Sequence, residues 1–378
     1  MRRLFVTFAL FLLIGAGTFA QEKADSLTDE MKTKIFSTFK HFTLRFYVDT
    51  YINITLDNEK DTSNLIPLSG NCPVLDQIRI NHGALELYYD AEKVRGKFVL
   101  QWGDAPNLLA ETDAQFIKNI RQANFGFRIV KDLWVDFGYM LNPVGYESAW
   151  AIVNQISTVT IGGYFEPGMV LGVKLSYKFS EKFNGGLMTG NSYSLAYGRN
   201  THLAGITFLN YRPKPNLFIG YYNFFGNEAL KNAEEKNDIL YNNFVVTYDP
   251  IPQVKLVGQF DLAGQTNSGM FPDTTKTAWM YSGFVQAGYV FNQHFSFHAR
   301  YEFFNDPNGY LSGTYDYSNK TTGLMTQGFT ASFEYKPVKV GYMRLSYRYL
   351  HANEGNKIYY SGLLDHINIL TFTTGVRF

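Results

Sequence analysis

An all-β fold is predicted: a transmembrane antiparallel up-and-down β-barrel of about sixteen strands, with short periplasmic turns and long extracellular loops. Three observations predict it. Apolar and polar residues alternate with period two in segment after segment, as in strands that face two different solvents. Very short turns and long loops rich in Asn, Gly, Asp and Ser join these segments in alternation. Aromatic residues make up 17% of the chain, with 27 Tyr and 33 Phe but only 4 Trp, and tyrosines recur just ahead of the short turns. A membrane–water interface selects rings at such a common height. With 18% charged residues and a net charge of +1, the chain is too aromatic for disorder and carries no footprint for nucleic acid.

Residues 1–20 read as a secretory signal peptide. Arg2 and Arg3 form the basic region, Leu4–Ile14 the apolar core, and Thr18-Phe19-Ala20 the cleavage site. No cysteine follows the signal that could carry a lipid, and Cys72 has no intramolecular disulfide partner. No later stretch approaches the roughly 18 apolar residues of a spanning helix, so membrane location must come from strands. Residues 21–40 read as a periplasmic lead-in, with helix-like spacing through Met31, Ile35, Phe36 and Phe39, and the barrel takes residues 41–378.

The first strand is expected over about Phe42–Leu56, with Phe42, Leu44, Phe46, Val48, Ile52 and Ile54 on one face and Arg45, Tyr47, Asp49, Tyr51 and Asn53 on the other. The second runs over about Arg79–Asp90, and a tight turn near Glu92 leads to the third, where Phe98, Leu100 and Trp102 oppose Arg95, Lys97 and Gln101. Further short turns fall near Lys131-Asp132, Ser180-Glu181, Pro213-Lys214-Pro215, Pro250-Ile251-Pro252, Asn292-Gln293 and Pro337-Val338. Between them lie long loops around 57–78, 104–120, 142–167, 192–200, 227–238, 265–276, 305–322 and 351–366. The last segment, Ile367–Phe378, alternates to its end and stops on an aromatic. Pairing it with the first strand would close the sheet and remove both edges.

On the apolar face Tyr89, Tyr177, Tyr211, Tyr248, Tyr289, Tyr335 and Phe378 are the expected membrane-interface girdle, with the face of the Tyr211 strand ambiguous. The opposite face is then the lumen wall. Its early strands carry Arg45, Asp49, Glu86, Arg95, Lys97, Arg128, Asp136 and Lys174. Its later strands carry Lys255, Asp261, Arg300, Glu302, Glu334, Arg344 and Arg348. Lys or Arg turned to hydrocarbon costs about 2–4 kcal/mol at the midplane, so these charges belong to a wet or self-paired interior. About eight strands fill their own interior, whereas about sixteen leave an aqueous channel. The mixed signs lean basic and lack the dense Arg or Lys ring of a phosphate pore.

Two long loops are candidates to narrow the lumen. Asn107–Ile120 has helical spacing and contributes Glu111 and Asp113. Asn142–Pro167 is apolar for an exposed loop, with Trp150, Ile152, Val153 and Ile156, and brings Tyr146 and Glu147, the latter as an acidic group facing solutes. Its burial place is either the lumen, or else the rim or a neighbouring subunit.

The run Phe137-Gly138-Tyr139-Met140-Leu141-Asn142-Pro143-Val144-Gly145-Tyr146-Glu147 resembles the strand-then-P-x-G-Y-E stretch of the beta-barrel porin family often called OmpL-like. Asn154, Ser157 and Phe165-Glu166-Pro167-Gly168 are similar to its continuation, although the arginine found within that family's Ser cluster is absent here. The resemblance implies an outer-membrane porin of Gram-negative type passing small hydrophilic solutes. The terminal Phe378 likewise resembles the C-terminal aromatic read by the barrel-assembly machinery.

No catalytic residue, cofactor or metal is expected. His294-Phe295-Ser296 has the His-x-Ser spacing of barrel lipid hydrolases but sits at the periplasmic rim, on the inward face. The histidines are scattered, and the acidic loop Asp57–Asp61 reads as solvated rather than as a Ca²⁺ site. The expected function is a water-filled outer-membrane channel for passive diffusion. The competing reading is a barrel with a plugged lumen that binds a glycan or partner through its loops. Expected partners are outer-membrane lipid, the assembly machinery, small hydrophilic solutes and further copies of the chain, with monomer and trimer both open.

Overall fold

The computed structural model describes residues 39–59, 64–109, 115–191, 193, 202–229, 236–270, 273–317, 320–352, 357–360 and 362–378. The expected signal peptide, most of the lead-in, and Glu111 and Asp113 lie outside them.

Sixteen antiparallel strands close into one barrel. In chain order the first eight are β1 (Phe42–Thr55), β2 (Arg79–Asp90), β3 (Val94–Trp102), β4 (Ile120–Val130), β5 (Leu133–Leu141), β6 (Met169–Lys178), β7 (Phe183–Gly190) and β8 (Ala204–Lys214). Then follow β9 (Leu217–Asn227), β10 (Asp238–Ile251), β11 (Val254–Gln265), β12 (Ala278–Val290) and β13 (Phe295–Asn305). A small hairpin in the next loop, β14 (Tyr315–Tyr317) and β15 (Lys320–Thr322), stands apart from the barrel. The wall is completed by β16 (Met325–Tyr335), β17 (Gly341–Ala352) and β18 (His366–Arg377).

Closure is made where the chain ends. Val48 pairs with Val376 and Ile52 with Phe372. The Phe46 N–H donates to the Phe378 carbonyl at 2.8 Å, and the Phe378 N–H donates back to Phe46 at 3.0 Å. Their rings stack at 5.7 Å on the outer face. Every strand then has two neighbours, which leaves no unpaired edge for the membrane to accommodate.

The outer surface is apolar over the middle of the strands, with Phe244, Phe260, Val285, Phe329 and Leu345 all exposed. No helix among the described residues is long and apolar enough to cross a membrane, so the strands do this. Two of the prolines expected in short turns, Pro213 and Pro250, are instead absorbed into strand ends. β8 runs through Pro213 to Lys214 and β10 through Pro250 to Ile251. Both prolines fall inside register shifts, between Tyr211 and Lys214 and between Tyr248 and Ile251, where no ladder hydrogen bond is required of them. At Lys131-Asp132 the two-residue turn holds Asp132 at φ 67°, a left-handed conformation that Asp tolerates.

Candidate functional site

The lumen is the site, and it is built from the inner faces of the strands plus loops that fold into it, chiefly those after β1 and β5. The loop between β5 and β6, residues 142–168, turns inward rather than onto the rim. Two arginines from the far wall hold its backbone. Arg344 donates from Nη1 to the Ala151 carbonyl at 2.7 Å and from Nη2 to that of Asn154 at 2.6 Å, while its Nε donates to Glu334 at 2.7 Å. Arg300 donates from Nη1 to the Thr158 carbonyl at 2.7 Å and to Glu147 Oε1 at 2.6 Å. Glu302 accepts from the Ile161 N–H at 2.9 Å and from Arg348 at 2.7 Å. Removing a partner costs about 3–5 kcal/mol wherever it leaves a charge of this buried set uncompensated.

Apolar packing completes the seat. Phe165 stacks on Phe304 at 4.9 Å, and Ile161 and Val144 join the cluster formed by Met188, Ile206, Phe224 and Tyr241. The inner face of β7–β10 is therefore largely apolar and packed, and none of the expected lumen residues lies on these four strands. Gly145 explains the Pro143–Glu147 motif. It has φ 88°, and a Cβ at that position would lie 1.9 Å from Glu166 Oε2. Only glycine allows the chain to turn there with Glu166 against it. The Gly145 and Tyr146 N–H groups donate to Asn243 and Gln259 side chains at 3.3 and 2.8 Å.

The first loop, after β1, also enters the lumen, which sequence reasoning missed. Asn71 donates from Nδ2 to the Ser157 carbonyl at 2.5 Å and accepts from the Val159 N–H at 3.0 Å, clamping one loop to the other. The signal was present in Leu65-Ile66-Pro67-Leu68 and Val74-Leu75, which are too apolar for a solvated loop; Ile66, Val74 and Leu75 are buried. Cys72 lies fully buried beside Tyr51 and Val74, and burial pushes its thiol up, away from the reactive thiolate.

The expected lumen residues divide into two groups. Arg300, Glu302, Arg344, Arg348 and Glu334 are on the inner wall but buried beneath the loops, paired with one another or with loop atoms, and Asp261 is buried there too, accepting from the wall side chains Asn243, Gln259 and Ser282. Asp49 is likewise covered, accepting from Asn81 at 2.9 Å and the His82 N–H at 2.7 Å. Glu147 does not present its acid to solutes: Arg300 holds one oxygen and Thr160 the other. Burial raises its carboxyl despite the arginine. Glu166 is pushed well above the usual carboxylate range by burial and then by the Asp261 carboxylate, with Gln259 opposing. Lys255 reaches over the Tyr146 ring.

The second group is on β1–β6, and most of it borders open space. Arg45, Arg95, Lys97, Asp136 and Lys174 line one cavity of about 520 Å³ together with Tyr88 and Asp90. Arg95 grips Asp136 with two bonds of 2.6 Å, and Lys174 lies 3.7 Å from the same carboxylate. Glu86 is taken by Arg377 at 2.8 and 2.6 Å, a partner that the sequence did not single out. Arg128 rests on Trp134 nearer the short-turn rim. A second cavity of about 340 Å³ lies between β2–β5 and the 142–168 loop and shares Leu141 with the first.

On the outside, Tyr177, Tyr211, Tyr248, Tyr289, Tyr335 and Phe378 are exposed, which places Tyr211 on the lipid face; Tyr89 is half-covered by Phe42 at 4.9 Å. His294 and Ser296 are not brought together. His294 bonds the Lys336 carbonyl at the rim, whereas Ser296 contacts His298 and Glu334 at 2.9 and 3.1 Å. Among the described residues no cluster of three or more His, Cys, Asp or Glu is placed to hold a metal.

In its course the chain is similar to several solved channels. The outer membrane channel DcaP of Acinetobacter baumannii superposes with a TM-score of 0.59 at 12% identity, over 89% of this chain and 97% of that one. The anion-selective porin from Comamonas acidovorans gives 0.58 at 11% identity, over 89% and 99%. Salmonella typhi OmpF, in complex with daunomycin, gives 0.60 at 13% identity, over 89% and 97%. At such identities the likeness is one of fold. No curated protein matches in sequence. The family model described as "Putative beta-barrel porin-2, OmpL-like" matches residues 41–378. With that match over nearly the whole chain, on a closed barrel with an apolar outer belt, the chain belongs to the OmpL-like beta-barrel porin family of the outer membrane.

Proposed function

We propose that this outer-membrane porin passes small hydrophilic solutes by passive diffusion along the β1–β6 side of its lumen. The observation that carries the reading is the placement of the 142–168 loop. It is anchored on β10–β13, β17 and β18, while the opposite wall keeps two adjoining cavities, the larger of them lined by charged side chains. The larger cavity has four cationic side chains, Arg45, Arg95, Lys97 and Lys174, against two carboxylates, Asp90 and Asp136. That balance supports a weak preference for anions. A strong one would need a denser cationic ring.

Purified protein in planar bilayers gives stepwise, non-gated conductance on this reading, with a reversal potential in a KCl gradient displaced toward chloride. Repeated failure to conduct removes the reading. A second reading, a plugged barrel that binds through its loops, draws support from the two loops that fill much of the lumen. It predicts a silent bilayer. We assign Phe378 to recognition by the assembly machinery, supported by its outward position and its pairing with Phe46 on the first strand.

A further inference from the structure

We infer that the cavity between β2–β5 and the 142–168 loop is a binding site for a small organic carboxylate that also carries a hydroxyl, of the hexuronate class. The inference rests on the channel reading for its access route, and it deepens that reading by naming a solute class. Four polar side chains line this cavity, and three of them keep a buried polar atom that no protein group satisfies. His82 is 1% exposed, and its Nδ1 has no partner. Gln101 donates its Nε2 to the Lys118 carbonyl at 3.0 Å, which leaves Oε1 as an acceptor with no donor. Asn142 accepts the Val144 N–H on Oδ1 at 3.0 Å, which leaves Nδ2 as a donor with no acceptor. Buried polar groups are as a rule hydrogen-bonded, so several orphans around one cavity point to a ligand or solvent that satisfies them together.

Arg121 is the fourth. A register shift between Val99 and Leu100 gives β4 one extra residue, and Arg121 occupies it. A bulge re-aims a side chain, and here the guanidinium lies in the lumen over the Trp150 ring at 4.8 Å. Among the described residues it has no carboxylate partner, unlike Arg95, Arg300, Arg344 and Arg377.

The chemistry follows from the donor and acceptor set. Arg121 and the Asn142 amide offer N–H donors to the two oxygens of a carboxylate. Gln101 Oε1 accepts from a hydroxyl, and His82 Nδ1 takes either role. Pro106, Ile117 and Tyr139 supply an apolar wall for the C–H face of a small ring. The carboxylates nearby do not compete for the guanidinium: Glu147 is held by Arg300 and Thr160, and Glu166 by Gln259 at 2.5 Å. One unpaired guanidinium suits a monovalent head group, whereas a phosphate dianion calls for more cations.

The test compares D-glucuronate, D-glucose and D-glucose 6-phosphate as blockers of single-channel KCl current. Glucuronate is expected to interrupt the current at concentrations about tenfold below glucose, the scale of one charge-assisted bond, and below glucose 6-phosphate. Arg121→Gln should raise the half-blocking glucuronate concentration about tenfold and Asn142→Ala about threefold, both with glucose unchanged. Equal block by glucose and glucuronate marks a merely hydrated cavity and overturns the inference, as does stronger block by glucose 6-phosphate. If Arg121→Gln fails to insert, Asn142→Ala and the solute comparison on the unaltered chain decide. Calorimetric titration of glucuronate into the detergent-solubilised barrel separates the two proposals. Heat without conductance keeps the site and removes the channel, and conductance without heat or selective block does the reverse.

Discussion

Replacing Arg344 by methionine should loosen the middle of the 142–168 loop while leaving the wall intact. The guanidinium makes two short bonds to loop carbonyls, at 2.7 Å to Ala151 and 2.6 Å to Asn154, and a longer one to Ser157 Oγ at 3.3 Å. Hydrogen bonds to charged groups are worth about 1.5–3 kcal/mol each, so the two short ones contribute roughly 3–6 kcal/mol. On the wall side Glu334 keeps Lys336 at 3.1 Å and Ser296 at 3.1 Å, so its charge is not stranded. Other loop anchors also survive, including Arg300 to Thr158 and Ser157 to Thr373 at 2.6 Å, which confines the effect to about residues 150–156. Since each 1.4 kcal/mol is a factor of ten, even the lower figure raises the detached population by roughly a hundredfold. Single-channel recordings should then show frequent transitions to a larger conductance, and limited proteolysis of the folded barrel should cut near Val153. Lys336→Gln, which touches Glu334 but no loop atom, serves as the unchanged control. An Arg344→Met channel with wild-type level, noise and protease resistance would refute the claim that this arginine holds the loop.

Deleting Phe378 removes the reciprocal bonds to Phe46, worth about 1–3 kcal/mol together, and the ring stack behind them. Insertion yield, read by heat-modifiable migration on gels, should fall more than conductance per inserted channel, and normal insertion would undo the assembly role. Gly145→Ala forces a side chain into a φ 88° position against Glu166, at a cost of about 1–3 kcal/mol. Its channels should differ in conductance from the parent; an unchanged conductance would show that the turn tolerates a Cβ. Glu166 gives a pH dependence of definite sign. Its folded carboxyl is raised, chiefly by burial and then by Asp261. Its contribution to loop stability is therefore complete below the ordinary carboxylate value and is lost as pH rises through the folded value. Current noise should grow on going from acidic to alkaline buffer, and Glu166→Gln should flatten the trend. Noise that falls with rising pH contradicts the assignment.

Much of the barrel was legible because period-two alternation is a local property. Leu44, Phe46 and Val48 against Arg45, Tyr47 and Asp49 determine the two faces of β1 without reference to any other strand. The turns were legible for the same reason, apart from Pro213 and Pro250, whose tolerance within a strand depends on a register shift in the partner. The 142–168 loop was conspicuous because Trp150, Ile152 and Ile156 are too apolar to stay in water. Its partners were not legible. Arg344 meets Ala151 across a sequence separation of 193 residues, and Asn71 meets Ser157 across 86. Nor could Arg121 be assigned inward, since strict alternation puts it on the lipid face and only the bulge reverses that.

The sequence by itself thus determined a closed barrel of this size, the outward face of most of the tyrosines ahead of its short turns, and the pairing of Ile367–Phe378 with the first strand. These follow from periodicity, strand number and the absence of any tolerable edge in lipid. The tertiary structure alone decided where the lumen stays open. An inward charge has the same spacing whether it meets solvent or another charge. Only closure of the barrel shows that Arg300, Arg344 and Arg348 are covered by loop backbone and buried carboxylates, while Arg45, Lys97 and Arg121 face the cavities.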